Sequence, residues 1–332
     1  MNDLLGRVAS VLERRFLLVC FLPALIFSSG LALLIAISSG KLGRLLMVWN
    51  GIPLSVQIAA LLGNFSVVWL AAGFLDSQLR NLVQLFEGYT LIQLSPRLAG
   101  RAQEWHSRHK VTLDTKKRVL KLGDESMGSA DITDNEIRQL LVEAGEPGGY
   151  SEERWVLYSG REGDVLPTRF GNVIRAAEDY SRERYGADYL KIWPRLAHVC
   201  SERFVQDYEA ARSSVDFLLV TCLLSCLFGI IGGVTQIFCS VHPLAFLATV
   251  GLSFVLSLLS YSSAVEAAKE YGEQMRASMD LFRIDLLTQL RYAPPRNLEE
   301  EIQCWQEFER FFLKGQDRIT DYSDPDSPAT VS

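Results

Sequence analysis

Four stretches without a single Asp, Glu, Lys or Arg constrain this chain more than any other feature: Phe16–Ser38, Ile52–Leu75, Phe217–Phe238 and Pro243–Ser263. Each holds 21 to 24 residues, against the roughly 20 that a helix needs to cross a hydrocarbon core of about 30 Å. A chain with 22% charged residues would not ordinarily reach a mean hydropathy of +0.12. The apolar excess is concentrated in these four stretches, which predicts four transmembrane helices.

The uncharged run continues from Phe217 to Val265, so only Cys239–Pro243 can turn between the third and fourth stretches, a tight hairpin. The first two are joined by the link Ser39–Gly51, whose Trp49 suits an interfacial anchor. Arg7, Arg14 and Arg15 precede the first stretch, Arg80, Arg97 and Arg101 follow the second, Arg212 precedes the third, and Lys269 and Arg276 follow the fourth. Lys41 and Arg44 dissent, but the tally places both termini and the central region on the cytoplasmic side. A cleaved signal peptide is the alternative for Phe16–Ser38, given its basic leader and the small residues Ala36 and Ser38. Its apolar run exceeds the usual 7 to 15 or so residues of a signal core, so it is read as an anchor.

The predicted layout is a cytoplasmic N-terminus (1–15), a transmembrane hairpin (16–75), a mainly helical cytoplasmic domain (76–216), a second hairpin (217–264), cytoplasmic C-terminal helices (265–320) and a disordered tail (321–332). The fold class is therefore an all-α membrane protein, with the 76–216 insertion and the C-terminal helices combining outside the bilayer. Cys20, Cys200, Cys222, Cys226, Cys239 and Cys304 form no Cys-x-x-Cys pair, and a disulfide framework is not expected. Cys222 and Cys226 share a helix face, as packing residues or as two soft ligands.

Helical periodicity continues beyond the spans. Ala268, Tyr271, Met275, Met279, Phe282, Leu286 and Leu290 form one stripe with no proline between Pro243 and Pro294, predicting one helix of roughly 50 residues. Leu79, Leu82, Val83, Phe86 and Tyr89 extend the second span toward Ser95-Pro96. A helix from Pro194 to Ser214, with Leu196, Val199, Cys200, Phe204 and Tyr208 buried, is expected to feed the third. Thr133 and Glu136 make a capping box for a helix ending near Gly145, and a further helix runs from Thr168 to about Tyr185, ended by Gly186. Trp155–Tyr158 reads as a short strand or a turn of helix.

Three groups of residues are candidate binding elements. Arg97, Arg101, Lys116, Lys117 and Arg118 belong to a basic segment suited to anionic lipid headgroups, unless it pairs with the acidic segment Asp124–Asp164. A nucleotide would suit it electrostatically, while a nucleic-acid partner is disfavoured. Ser225, Gly229 and Gly233 stand at small-xxx-small spacing, for packing within the chain or in a homo-oligomer. His106 and His109 lie three apart with only Glu104 as a local third group, too few for a zinc site.

The third group lies in Leu166-Pro-Thr-Arg-Phe-Gly-Asn172, with Arg184-Tyr-Gly186 and Ile192-Trp-Pro-Arg-Leu196 downstream. This string resembles a signature of bacterial multi-pass membrane proteins of uncharacterised role. The resemblance implies a bacterial inner-membrane setting and the two-hairpin layout, and no activity. Within it Arg169, Asn172, Arg175, Glu178 and Arg195 form either a network that packs the domain or a site for an anionic small molecule.

No phosphate loop, Gly-x-Ser-x-Gly elbow or His-Glu-x-x-His pair occurs, so no cofactor, metal or catalytic residue is assigned. The expected role is that of a non-enzymatic sensor, scaffold or recruiter of a cytoplasmic protein, anchored in the lipid bilayer. The alternatives are an oligomeric channel or membrane-perturbing effector, with Gln57, Asn64 and Ser66 lining a path, and an enzyme acting on a nucleotide or lipid through Arg169, Arg175 and Glu178.

Overall fold

A computed structural model of the chain describes residues 15–126, 156–161, 163–239, 241–313 and 315, with side chains described outside 115–126 and 313. The capping-box helix and the tail predicted above lie outside these residues. Among the described residues all regular structure is helical. The order is α1 (Leu22–Ser38), α2 (Leu42–Gly51), α3 (Leu54–Glu87), α4 (Tyr89–Leu94), α5 (Pro96–Ser126), α6 (Arg169–Tyr185), α7 (Tyr189–Leu196), α8 (Glu202–Phe238), α9 (Pro243–Gln289) and α10 (Leu298–Phe308). The segment Leu17–Ser38, α3, α8 and α9 are long and apolar enough to cross a membrane.

Local chemistry explains most boundaries. A π-turn, Leu17–Phe21, leads into α1, with the Leu22 amide reaching back to the Leu17 carbonyl. Pro23 follows at the start of α1, lacks an amide hydrogen, and needs the room that a widened turn provides. The link expected at Ser39–Gly51 is instead mostly helical, as α2. Leu42, Leu45, Leu46 and Trp49 recur at i, i+3, i+4 and i+7, a helical signal that a link does not carry. Gln57 secures the end of α2, its side-chain amide donating to the carbonyls of Trp49 at 2.7 Å and Ile52 at 3.2 Å.

The second span does not run unbroken to Ser95. Gly88 adopts φ 95°, ending α3 and starting α4, and Pro96 then opens α5, where its missing amide hydrogen costs nothing. The helix expected from Pro194 also differs. Pro194 lies inside α7, and α8 begins only at Glu202, after Ser201 accepts from the Phe204 amide at 3.3 Å. Ser201 followed by an acid is a start signal that competes with proline and prevails here. Val156 and Leu157 are helical. α9 runs 47 residues, close to the predicted length.

The chain divides into two compact units, Met1–Phe86 with Arg212–Ala267, and Glu87–Ala211 with Ala268–Ser332. In the first, Phe16 and Phe21 pack on Trp69 with ring centroids 4.9 and 5.4 Å apart, over buried Val68 and Ala72. α8 and α9 touch where side chains are smallest. A β-carbon on Gly229 would stand 2.9 Å from that of Ser253, and one on Gly233 would stand 3.0 Å from Val250 Cγ2. Gln236 donates to Thr249 Oγ1 at 2.9 Å, and the thiols of Cys222 and Cys226 lie 3.3 and 3.1 Å from Ser257 Oγ.

Arg15, just before the first apolar stretch, pairs with Asp216, just before the third, at 2.6 Å. The Asp216 side chain is only 5% exposed. Removing one partner of a buried pair leaves an uncompensated charge, which costs about 3–5 kcal/mol, whereas replacing both with apolar groups is often neutral. Asp216→Leu is therefore expected to lower the thermal unfolding midpoint of the detergent-solubilised chain markedly, and the double variant Arg15→Leu/Asp216→Leu to restore most of the loss.

In the second unit, the predicted stripe on α9 is the core. Met275, Met279, Leu286 and Leu287 are buried with Tyr189, Ile192, Leu196, Tyr208, Trp305 and Phe308. Trp193 stacks on Tyr208 at 4.0 Å, and the Tyr208 and Tyr271 hydroxyls lie 2.7 Å apart. The hydroxyls of Tyr185 and Tyr180 both donate to Asp280, at 2.6 and 3.1 Å.

Candidate functional site

The second unit's distinctive chemistry gathers at the start of α6. Thr168 caps this helix, its hydroxyl oxygen accepting from the Gly171 amide at 3.0 Å, and Gly186 closes it at φ 75°. Both ends match the sequence reading. Asn172 is 2% exposed and fully committed to the preceding loop. Its Oδ1 accepts from the Leu166 amide at 2.7 Å, and its Nδ2 donates to the carbonyls of Leu166 and Thr168, both at 2.8 Å.

This staple presents the α6 backbone to the end of α3. A β-carbon on Gly171 would stand 2.4 Å from the Glu87 carbonyl oxygen and 2.9 Å from its Cα, and one on Gly88 would meet Pro167 Cγ at 2.4 Å. Gly171 thus lets backbone meet backbone, and Gly88 leaves room for the Pro167 ring, where any side chain would hold the elements apart.

One helical turn on, Arg175 collects carboxylates. It donates to Asp164 at 2.8 and 3.1 Å, and lies 3.3 Å from Asp179 and 3.8 Å from Glu178. Burial alone would raise Asp164, but hydrogen bonding and charge from Arg175 hold its carboxyl below the usual range. Asp179 is deeper, and burial raises its carboxyl despite Arg175. Glu178 is pushed up to about 7, first by burial and then by the negative charge of Glu87, with Asp179 and Asp188 adding to the rise and Arg175 opposing it. Burial raises the Tyr89 hydroxyl too, with Glu87 next in effect. Arg161 adds a second, longer contact to Asp179 at 3.9 Å, and with four carboxyl groups against two arginines the raised Glu178 eases the imbalance by holding its proton.

Of the five residues singled out in the signature string, the structure brings together Arg175 and Glu178, while Asn172 turns to the preceding loop. Arg195 is elsewhere, its guanidinium 5.5 Å over the Phe308 ring and 5.9 Å over that of Phe312. Arg169 is exposed and makes no ion pair among the described residues. Its charge acts on His106 and Tyr158, whose side chains lie 2.9 Å apart. Burial, then the neighbouring His109, lowers His106 to about 4, so its ring is neutral at ordinary pH. Among the described residues no group of three or more His, Cys, Asp or Glu is disposed to hold a metal ion.

Arg97 and Arg101 are exposed on α5, and Lys116, Lys117 and Arg118 belong to the same helix, their side chains outside the described residues. Gly229 and Gly233 pack against α9, and Ser225 is buried. Sequence reasoning missed Glu87, Asp164 and Asp179 as members of the charged cluster. Asp179 follows Arg175 by four positions, a readable helical pair; Glu87 and Asp164 meet it only through the fold.

No protein-family model, no curated protein and no solved structure matches this chain.

Two substitutions probe the junction. Gly171→Ala is expected to cost about 1–3 kcal/mol, since the added methyl meets backbone that cannot move aside; faster hydrogen exchange at the 166–172 amides is the readout. Glu178 titrates above its ordinary 4.5 in the fold, so the folded chain holds this proton more tightly than the unfolded chain. Its contribution is fully favourable below about pH 4.5 and is lost as pH rises toward 7. Glu178→Gln is expected to flatten the pH dependence of unfolding between pH 5 and 8 and to stabilise the chain at pH 8, on the order of 2 kcal/mol.

Proposed function

We propose that this chain is a non-enzymatic, multi-pass protein of the bacterial inner membrane, whose helical domain senses a change in its surroundings or recruits a cytoplasmic partner. One observation carries the reading: Asn172 and Arg175 of the signature segment spend their polar groups on neighbours within the chain. Asn172 makes three hydrogen bonds to the loop before it, and Arg175 is held among three carboxylates. A catalytic centre needs groups aimed at a substrate rather than at their neighbours. A cluster that exchanges a proton near neutral pH, beside the glycine contact that ends α3, suits a sensing element.

In the proposed topology, α8 and α9 form one transmembrane hairpin and α1 and α3 the other. The ion pair between Arg15 and Asp216 supports placing the starts of the first and third spans on one side. The Lys and Arg tally supports the cytoplasm as that side, with both termini and the 76–216 domain. The channel reading is less well supported, because Gln57 and Ser66 give their donors to backbone carbonyls within their own unit.

Purified full-length protein in sealed liposomes separates the readings. Between pH 5.5 and 8, no ion flux above protein-free liposomes is expected, while amide protection across residues 166–172 changes with pH. Flux that follows the same pH dependence would replace the sensing reading with the channel.

A further inference from the structure

Three carboxamides stand in the four uncharged stretches, Gln57, Asn64 and Gln236, and two of them donate to partners inside the chain. Ser66 donates to the Leu62 carbonyl at 2.9 Å, Ser253 to that of Thr249 at 2.7 Å, Gln57 caps α2, and Gln236 reaches Thr249. Asn64 does not. It is exposed on α3 and makes no hydrogen bond among the described residues.

Its position makes that vacancy costly. Asn64 is close to the midpoint of the uncharged stretch Ile52–Leu75, with about 17 Å of helix to either end. That is near the centre of a hydrocarbon core of about 30 Å, and an asparagine side chain is too short to reach either interface. Acyl chains offer neither donor nor acceptor, so the carboxamide requires a protein partner.

The surrounding face is shaped for one. Ala60, Val67 and Ala71 stand four residues before, three after and seven after Asn64, and all three are exposed. Two of them are alanines, which allow a second helix to approach closely. The neighbouring face of α3, bearing Val68 and Ala72, is already buried inside the unit.

We propose that α3 is the interface of a homodimer within the bilayer, in which the Asn64 carboxamides of two copies hydrogen-bond to each other. A carboxamide is both donor and acceptor, and a residue on a twofold axis meets its own copy, so Asn64 is complementary to itself. A second copy of this chain supplies the partner without any other component. The inference rests on α3 crossing a membrane and is independent of the sensing role.

The test uses the full-length chain carrying a fluorescent tag, reconstituted in liposomes of phosphatidylethanolamine and phosphatidylglycerol over a range of protein-to-lipid ratios. Stoichiometry is counted by single-molecule photobleaching. Wild type is expected to dimerise, Asn64→Leu to weaken association about three- to thirtyfold, and Asn64→Gln to retain it. Ala71→Leu, which leaves the carboxamide in place but obstructs close approach, is expected to weaken it as well. The proposal is overturned if Asn64→Leu dimerises as tightly as wild type. It is equally overturned if the wild-type chain stays monomeric at every ratio, which would assign the Asn64 face to a different membrane protein.

Discussion

The structure depends on one constraint: in hydrocarbon, a polar group that is not satisfied by the protein is not satisfied at all. It makes helices of the four uncharged stretches, and it governs the polar side chains within them. Serines turn their hydroxyls back onto carbonyls of their own helix, as Ser66 does to Leu62 and Ser253 to Thr249. The longer Gln57 and Gln236 reach out, one to the carbonyls that end α2 and one to a threonine on the facing helix. Association between such helices cannot draw on water exclusion, which is why Gly229 and Gly233 matter: they bring α8 to within van der Waals contact of Ser253 and Val250.

Outside the apolar stretches the balance changes, because apolar burial again drives packing. The second unit is built as a water-soluble domain would be, with Met275, Met279, Leu286, Trp305 and Phe308 in its core and arginines stacked on rings at its edge. Its charged cluster obeys the soluble rule as well. Arg175 can ion-pair with Asp164, Asp179 and Glu178, yet burial and the charge of Glu87 still push the Glu178 carboxyl up to about 7. The glycine contact intensifies this, since bringing the α6 backbone against Glu87 also brings the two glutamates into the same poorly hydrated space.

Where the determinants are local, they were legible in the sequence. The apolar stretches, the stripe from Ala268 to Leu290, Thr168 as a cap and Gly186 as a stop all act within a few residues of themselves, and each appears where periodicity and capping place it. Gly88 and Ser201 escape a reading of the sequence for a related reason: each is a local signal that competes with a stronger-looking neighbour, a continuing apolar face in one case and Pro194 in the other. The charged cluster was only half legible. Arg175, Glu178 and Asp179 share a helix, but Glu87 stands 88 positions before Arg175, and nothing in its own surroundings marks it as their partner.

A group satisfied at home is explained by folding, and a group left over needs another explanation. In the sequence Asn172 suits either a packing network or an anion site, and in the structure three of its hydrogen-bonding positions are filled by the preceding loop. Arg195, open to the same two readings, lies over aromatic rings. Arg169 and Asn64 are different, since both are exposed and neither is engaged in this way. In water an exposed arginine is at no disadvantage, so Arg169 carries little inference by itself. In the proposed topology an exposed carboxamide near the middle of a span has no such relief, and the same degree of exposure therefore carries far more weight at Asn64 than at Arg169.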